Sequence, residues 1–183
     1  MSDLRPRFDS STADALERAR GRDIALFPAT EFEGIWRNGG IGTYYRELNR
    51  VLRGKGWFTI LFNLHAGENV PAEAAEGLGL DHIFNIAGFD SFLRLDPVRE
   101  QMLQSGKAAF CKLKGLKCLF LIDALAEMFP AQRIYAEFQE MGGPGYHSAK
   151  AKEAGLLPRE VVVAVTVHSG YEWIYDANGA LAS

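Results

Sequence analysis

The chain has 183 residues, of which 48% are hydrophobic and 23% are charged, a composition typical of one soluble globular domain with a buried core. Its formal net charge of −3 argues against nucleic acid as a partner, because a phosphate backbone requires a basic surface. No apolar stretch approaches the roughly 20 residues of a membrane-spanning helix, so none is expected to cross a bilayer.

The cysteine content and the N-terminus indicate the compartment. Cys111 and Cys118 lie seven positions apart, on about the same face of a predicted helix. Two cysteines are too few for a disulfide framework, and both are expected to be reduced core residues. The N-terminus is charged and has no apolar signal-peptide segment. The sequence therefore predicts a cytoplasmic protein.

The chain is predicted to begin with a flexible arm over residues 1–22, which contains a short helix from Ala13 to Arg20. A single domain over residues 23–183 is expected to follow. Its first strand is the apolar run at residues 24–27, which Pro28 is expected to end.

A glycine-rich loop follows this strand and closes on residues 39–42, Gly-Gly-Ile-Gly. Thr43 then opens an amphipathic helix. Glycines let the backbone come close to a ligand, and a helix N-terminus offers free N–H groups and a partial positive charge. The strand, loop and helix together predict an anion-binding corner.

The remaining elements alternate between strands and helices. The pattern predicts strands at residues 57–62, 81–86, 133–139 and 161–167, and helices at residues 72–76, within 96–129 and at 146–154. Gly106 and Gly115 are expected to divide the long helical region. Residues 118–122 could form a strand, but the helical pattern that continues after them favours helix. The run at residues 161–167 holds five valines and is apolar throughout, which predicts a parallel strand buried on both faces.

Alternating strands and helices predict an α/β fold: a Rossmann-like, doubly wound parallel sheet in three αβα layers. Ligands of such sheets bind at the carboxyl ends of the strands. Three loops are expected to leave those ends with glycine or a polar side chain, at residues 38–43, 139–146 and 168–173.

The first glycine loop departs from the standard nucleotide-binding motifs. A dinucleotide site uses G-x-G-x-x-G, and Gly40 and Gly42 fit this pattern, but Tyr45 stands at the third glycine. An acidic residue should follow strand two to bind the ribose, and Asn63 lies there instead. The loop also lacks the Gly-Lys-Ser/Thr ending of ATPase phosphate loops. A tight turn without a ligand remains an alternative.

The second glycine loop, at residues 142–145, has three glycines in four positions and follows Glu137 and Glu140. It is either a solvated loop with surface acids, or a site where a carboxylate binds sugar hydroxyls. Of the four histidines, His168 is the functional candidate, because it ends an apolar strand where ligands collect. A structural, hydrogen-bonded histidine is the alternative.

Metal and hydrolase sites are not expected. No histidine pair has metal-ligand spacing, and no G-x-S-x-G nucleophile elbow occurs. The aromatic residues Trp36, Tyr44, Tyr171 and Trp173 are either core residues or surfaces on which sugar rings could stack.

Several of these segments, in order, resemble one family. Residues 39–44, which lead into a helix ending at residues 54–56, resemble the first loop and helix of retaining GT-B glycosyltransferases, family 4 or group 1, of the glycogen-synthase and sucrose-synthase type. Similar segments follow at residues 135–143, 150–157 and 163–168. The resemblance spans about residues 23–175. One motif departs from it, because Glu137-Phe138-Gln139 stands where many members carry His-x-His.

The resemblance implies an enzyme that moves a sugar from a nucleotide-diphosphate sugar to a saccharide or lipid acceptor with retention. It implies that this chain is the N-terminal, acceptor-side domain, which lacks the C-terminal donor domain with its E-x7-E carboxylate pair and is inactive alone. His168 would be catalytic, and no metal or cofactor beyond the donor substrate would be needed. The resemblance also implies residues that bind the substrate or the donor, with the Gly40 and Gly42 amides close to the donor diphosphate: Gly39, Gly40, Gly42, Glu140, Gly142 and Gly143.

Two other interpretations stay open. The chain could be a non-catalytic regulatory domain with a flavodoxin-like fold, although receiver domains of that fold need an acidic cluster where Phe27 and Pro28 end the first strand. It could also be an NAD(P)-binding domain, against which Tyr45 and Asn63 argue. A lipid-linked acceptor, and with it peripheral contact with a membrane, stays open too.

Overall fold

The computed structural model describes residues 7–35, 40–67, 69–106 and 110–167, without the side chains of residues 106, 110 and 111. Its strands are β1 (Ile24–Ala29), β2 (Phe58–Asn63), β3 (His82–Asn85), β4 (Ile134–Gln139) and β5 (Val161–Thr166). Its helices are α1 (Ser10–Leu16), α2 (Gly40–Gly54), α3 (Ala74–Gly77), α4 (Phe89–Phe92), α5 (Pro97–Gly106), α6 (Phe110–Met128) and α7 (Tyr146–Glu153), with 3₁₀ turns at Glu17–Ala19 and Ile86–Gly88. None of the helices in these ranges has both the length and the apolar character needed to cross a membrane.

The five strands form one parallel sheet in the order β3-β2-β1-β4-β5. This confirms the predicted Rossmann-like α/β fold. The order matches the first five strands of the Rossmann arrangement, whereas flavodoxin-like sheets run 2-1-3-4-5. From β1 the chain proceeds to one side through β2 and β3, and then returns to place β4 and β5 on the other side. The boundary between β1 and β4 is therefore a topological switch point.

Helices cover the sheet on two faces and give the three predicted layers. On one face, α6 contributes Leu121 and Leu125 to an apolar cluster that also contains Ile24 and Ile60 of the sheet. On the other face, α2 packs through Tyr45 against a second cluster that includes residues of β1, β2 and β3. No described residue of β4 or β5 belongs to this second cluster, so the α2 face of these two strands is polar or partly exposed.

The N-terminal segment differs from the predicted flexible arm. Residues 1–6 lie outside the described residues, but residues 7–22 pack against the domain. Phe8 and Leu16 are fully buried in the α6-side cluster, and the Arg7 guanidinium donates to the Asp123 carboxylate of α6 at 2.9 Å. The Asp9 side chain caps α1 by accepting from the Thr12 amide at 3.1 Å. Apolar residues spaced through this polar segment account for its docking.

The long helical region is divided once, between α5 and α6. Residues 118–122 are helical, as predicted. The prediction that Gly115 breaks a helix is wrong, because Gly115 lies inside α6. A Cβ atom there would lie 2.9 Å from Cδ2 of His147, so this glycine lets α7 approach α6 closely. Cys118 is a free thiol in the core, and burial raises its pKa.

The valine-rich strand β5 was predicted to be buried on both faces, and this is wrong. Val161 is 1% exposed, but Val162 and Val165, which lie on opposite faces, are 48% and 49% exposed. The reason is position: within the described residues, β5 pairs only with β4, so it forms an edge of the sheet. The apolar composition of a strand does not determine how many neighbouring strands and helices cover it.

This correction predicts a difference between two valines on the same face of β5. Val161→Ala is expected to lower the free energy of unfolding by about 2 kcal/mol, through lost burial and a small cavity. Val165→Ala should cost less than about 1 kcal/mol, because half of its side chain already contacts solvent. Urea denaturation of the two variants measures both values. Equal losses would contradict the edge position of β5.

Candidate functional site

The adjacent strands β1 and β4 separate at the switch point. Their backbones pair only where residues 24–26 lie opposite residues 134–136. The carboxyl halves, residues 27–29 and 137–139, are not paired with each other, although β4 stays paired with β5 as far as Gln139. We call the region between the unpaired carboxyl ends of β1 and β4 the crevice; it lies where open α/β sheets bind ligands.

Pro28 explains why the strands separate. Ile24 donates its amide to the Arg133 carbonyl at 2.8 Å. Because a parallel ladder repeats every two residues, the amide of residue 28 should bond to the carbonyl of residue 137. Proline has no amide hydrogen, so this bond cannot form. β1 nevertheless continues through Pro28 to Ala29, beyond the predicted end of the strand, and pairs with β2 on its other side.

Tyr45 takes the place of the missing amide. Its buried hydroxyl donates to the Glu137 carbonyl oxygen at 3.2 Å, and its ring packs on Phe27 with centroids 5.8 Å apart. In a dinucleotide site the third glycine of the fingerprint stands here and allows close packing of helix and strand. A fully buried tyrosine fills that space instead, which strengthens the argument against a dinucleotide site.

The Glu137 carboxylate is the centre of a buried hydroxyl cluster. The residue is 1% exposed, and its carboxylate accepts from Tyr44 of α2 at 2.5 Å, from Tyr135 of β4 and from Thr166 of β5. Burial, followed by the neighbouring carboxylate, raises the pKa of Tyr44 and of Tyr135, so both phenols remain protonated donors. The cluster links the first turns of α2 to β4 and β5.

A second polar pair spans the mouth of the crevice. Thr30 follows β1 directly, and Gln139 is the last residue of β4. The Gln139 amide donates to the Thr30 hydroxyl at 2.9 Å, and the two side chains also meet through the amide oxygen at 3.3 Å. Gln139 is 2% exposed. Neutral donors and acceptors therefore connect the separated strand ends.

The glycines at the start of α2 differ in their surroundings. Gly39 lies outside the described residues. Gly40 is exposed, and a Cβ atom there would meet nothing within 4 Å. Gly42 is buried beneath its own loop, where a Cβ would lie 3.2 Å from the Glu33 amide nitrogen. Packing accounts for Gly42, whereas Gly40 borders open space one turn before Tyr44, on the same side of α2.

The second glycine loop is a tight turn at the carboxyl end of β4. The Gly143 amide donates to the Glu140 carbonyl at 3.1 Å, and Gly142 has a φ of 77°, as the third position of a type II turn requires. Gly145 lies against the Phe138 ring, 2.9 Å from where its Cβ would be. Glu140 is half-buried beside Gln139. Turn geometry and packing are thus sufficient to account for these glycines.

Other predicted residues lie outside the described residues: Trp36, His168, Tyr171 and Trp173. β5 ends at Thr166, next to the end of β4. The chain therefore leaves β5 at the carboxyl ends of the strands, where the two glycine loops also lie. Among the described residues, no three histidine, cysteine or acidic side chains group so that they could hold a metal ion.

Asn63, which stands where a ribose-binding acid would be expected, has a structural partner. Its amide donates to the Asn85 side chain at 3.1 Å, and Asn85 bonds both backbone polar groups of Val70 at 2.9 Å. The two asparagines therefore hold the loop that follows β2.

Sequence reasoning named Tyr44 and Glu137, but it did not bring them together. It did not single out Thr30 or Thr166, since no motif marks them, and it noted Gln139 only as part of the departure from His-x-His. One signal was available: proline is rare inside a central strand, and Pro28 could have indicated that β1 loses a neighbour at that point.

No protein-family model matches the chain, and no curated protein matches it either. The resemblance to GT-B glycosyltransferases therefore stays a prediction.

Proposed function

We propose that the crevice between β1 and β4 binds a polyhydroxylated, sugar-type molecule, and that this domain is the acceptor-side half of a glycosyl-transfer site. The observation that carries the proposal is the separation of β1 from β4 at the switch point, where hydroxyl, amide and carboxylate side chains line the gap. Sugars can be recognised through hydroxyl, amide and carboxylate groups, since every sugar hydroxyl can both donate and accept a hydrogen bond.

The charge of the site favours a neutral ligand. Glu137 is held against Tyr44, in the second turn of α2, and a carboxylate near a helix N-terminus already complements the helix dipole. Glu31 and Glu140 follow the ends of β1 and β4 and add negative charge at the carboxyl ends of these strands. A diphosphate would be repelled by these groups. The proposal therefore departs from the anion-binding role predicted for Gly40 and Gly42: we place the acceptor here and assign the nucleotide of the donor sugar to a second domain.

The Thr30–Gln139 pair supplies the binding groups in this proposal. Its two side chains can exchange their mutual bonds for bonds to ligand hydroxyls at little cost, because each remains paired. Glu137 has a different role: it connects α2 to β4 and β5, and so fixes the position of α2 at the crevice before the ligand arrives. His168 keeps its proposed catalytic role, on the strength of the family resemblance alone.

A matched pair of glycine variants tests the proposal on the whole chain. Gly40 and Gly54 lie at the two ends of α2, and at both an added Cβ atom would meet nothing within 4 Å. Gly40→Leu places a side chain at the crevice, whereas Gly54→Leu places a side chain at the other end of α2, near the amino ends of the strands. Binding of a panel of oligosaccharides is measured by amide chemical shifts in NMR.

We expect a saccharide of the panel to shift the amides of residues 40–45 and 139–143 in a saturable manner. Gly40→Leu should weaken this binding at least tenfold, and Gly54→Leu should change it less than twofold. NAD should produce no saturable shifts at these residues. The proposal fails if no saccharide binds there, or if NAD binds there instead.

A further inference from the structure

A second cleft lies on the other face of the sheet, between α4, α5 and α6, and has a volume of about 630 Å³. This size falls within the roughly 300–1,000 Å³ that small-molecule sites occupy. Buried or half-buried leucines form its walls: Leu93, Leu95, Leu103 and Leu113. Exposed polar and charged groups form its rim: Asp90, Arg94, Glu100 and Gln104.

One cation lies among the apolar walls. Lys117 of α6 is half-buried, and its ammonium donates to the Ile86 carbonyl at 3.3 Å and lies 4.9 Å from the centroid of the Phe89 ring. No carboxylate of the described residues lies within ion-pair distance of this ammonium, and Asp90 acts on it only from a distance. Burial lowers the pKa of Lys117, and the Asp90 carboxylate opposes this shift.

We propose that this cleft binds an amphipathic organic anion, such as a medium-chain carboxylate, whose apolar chain packs against the leucines and whose charged group pairs with Lys117. The combination of apolar walls with one converging cation is the usual composition of a ligand pocket. A carboxylate beside Lys117 would give the half-buried ammonium the anionic partner that it lacks in the described structure, and charge-assisted hydrogen bonds are the strongest that such a group forms.

The proposal must be separated from a purely structural role, in which Lys117 only holds the turn at residues 86–89. A structural role predicts that loss of the charge destabilises the fold and affects charged and neutral ligands equally. A binding role predicts selectivity for the anion. Octanoate and octanol, which share an alkyl chain and differ in charge, distinguish the two roles.

Calorimetric titrations of the full chain with octanoate and with octanol are compared for three variants. Lys117→Met removes the charge together with the terminal atom and keeps the rest of the unbranched side chain, whereas Lys117→Arg keeps the charge. Lys112→Met is the matched control, because Lys112 is an exposed lysine on the same helix whose charge acts on His147 of α7. Thermal melting checks that each variant is folded.

We expect the wild-type chain to bind octanoate more tightly than octanol. Lys117→Met should weaken octanoate binding at least tenfold and leave octanol binding within twofold, whereas Lys117→Arg and Lys112→Met should retain octanoate binding. If Lys117→Met does not fold, wild-type binding of octanoate should still weaken with added salt more than that of octanol. The proposal is overturned if octanoate does not bind at millimolar concentration, if Lys117→Met binds it normally, or if both ligands are lost together.

Discussion

Replacing Glu137 with alanine is expected to lower the free energy of unfolding by about 3–5 kcal/mol, since hydrogen bonds to a charged group contribute about 1.5–3 kcal/mol each and do not add fully. The carboxylate accepts from Tyr44, Tyr135 and Thr166, which come from three different elements. Its removal leaves three hydroxyl groups without their acceptor, in a region where Glu137 itself is 1% exposed.

Smaller changes in the same cluster should have graded effects. Glu137→Gln keeps the shape and one acceptor oxygen but places an amide donor against a hydroxyl donor, so we expect a loss of about 1–3 kcal/mol. Tyr135→Phe removes one donor and should cost about 1 kcal/mol. Urea denaturation at constant m-value gives these differences. If Glu137→Ala unfolds at the wild-type urea concentration, the cluster does not hold α2 to the sheet.

Acidification is expected to destabilise the protein by up to about 3 kcal/mol through His82 alone, at 1.36 kcal/mol for each unit of pKa difference between the folded and unfolded states. Burial, with a smaller contribution from the nearby Arg18 cation, lowers the pKa of His82 to about 4. The His82 ring packs edge to face on the Phe84 ring, with the two ring centroids 4.5 Å apart. The pKa in the unfolded chain is about 6.5, so the unfolded state binds the proton more readily between these values. The stability is complete above pH 6.5 and is lost as the pH falls towards 4.

The variant His82→Phe isolates this contribution. It keeps an aromatic ring next to Phe84 but cannot bind a proton. The free energy of unfolding is measured at several pH values between 7 and 4 for the wild type and for the variant. Carboxylates titrate at the lower end of this range in both proteins, so the informative quantity is the difference between the two curves. Parallel curves would show that His82 does not bind a proton more weakly in the folded state.

The order and type of the elements were predictable, because they depend on local chemistry. Apolar runs of four to seven residues predicted β1, β2 and β5, and 3.6-residue periodicity with glycine or proline boundaries predicted the helices. Alternation of the two implied a parallel sheet, since parallel strands require a crossover between them. The helix at residues 118–122 was recovered in the same way, because its apolar pattern continues on both sides.

Predictions failed where a residue's surroundings depend on distant parts of the chain. Gly115 was expected to break a helix, but it lies inside α6, where the close approach of His147 of α7 leaves no room for a side chain. Residues 7–22 were expected to be flexible, but Phe8 and Leu16 are buried in the hydrophobic core. In each case a contact far along the sequence outweighs the local preference.

The candidate site shows the same division. Gly40, Glu140 and Gly142 could be placed at strand ends from their positions in the sequence. The grouping of Tyr44, Glu137 and Thr166 could not be foreseen, because it requires α2, β4 and β5 to be neighbours.

By itself, the sequence determined that this protein is an α/β domain with loops at the carboxyl ends of its strands, since these features follow from periodicity and turn chemistry. Only the tertiary structure decided that β5 is an edge of the sheet formed by the described residues, that β1 and β4 separate beyond Pro28, and that the Glu137 carboxylate accepts hydrogen bonds from three hydroxyl groups. Strand order is the physical reason. It is set by packing between segments up to about a hundred residues apart, and it alone decides which strands share a boundary and which side chains meet there.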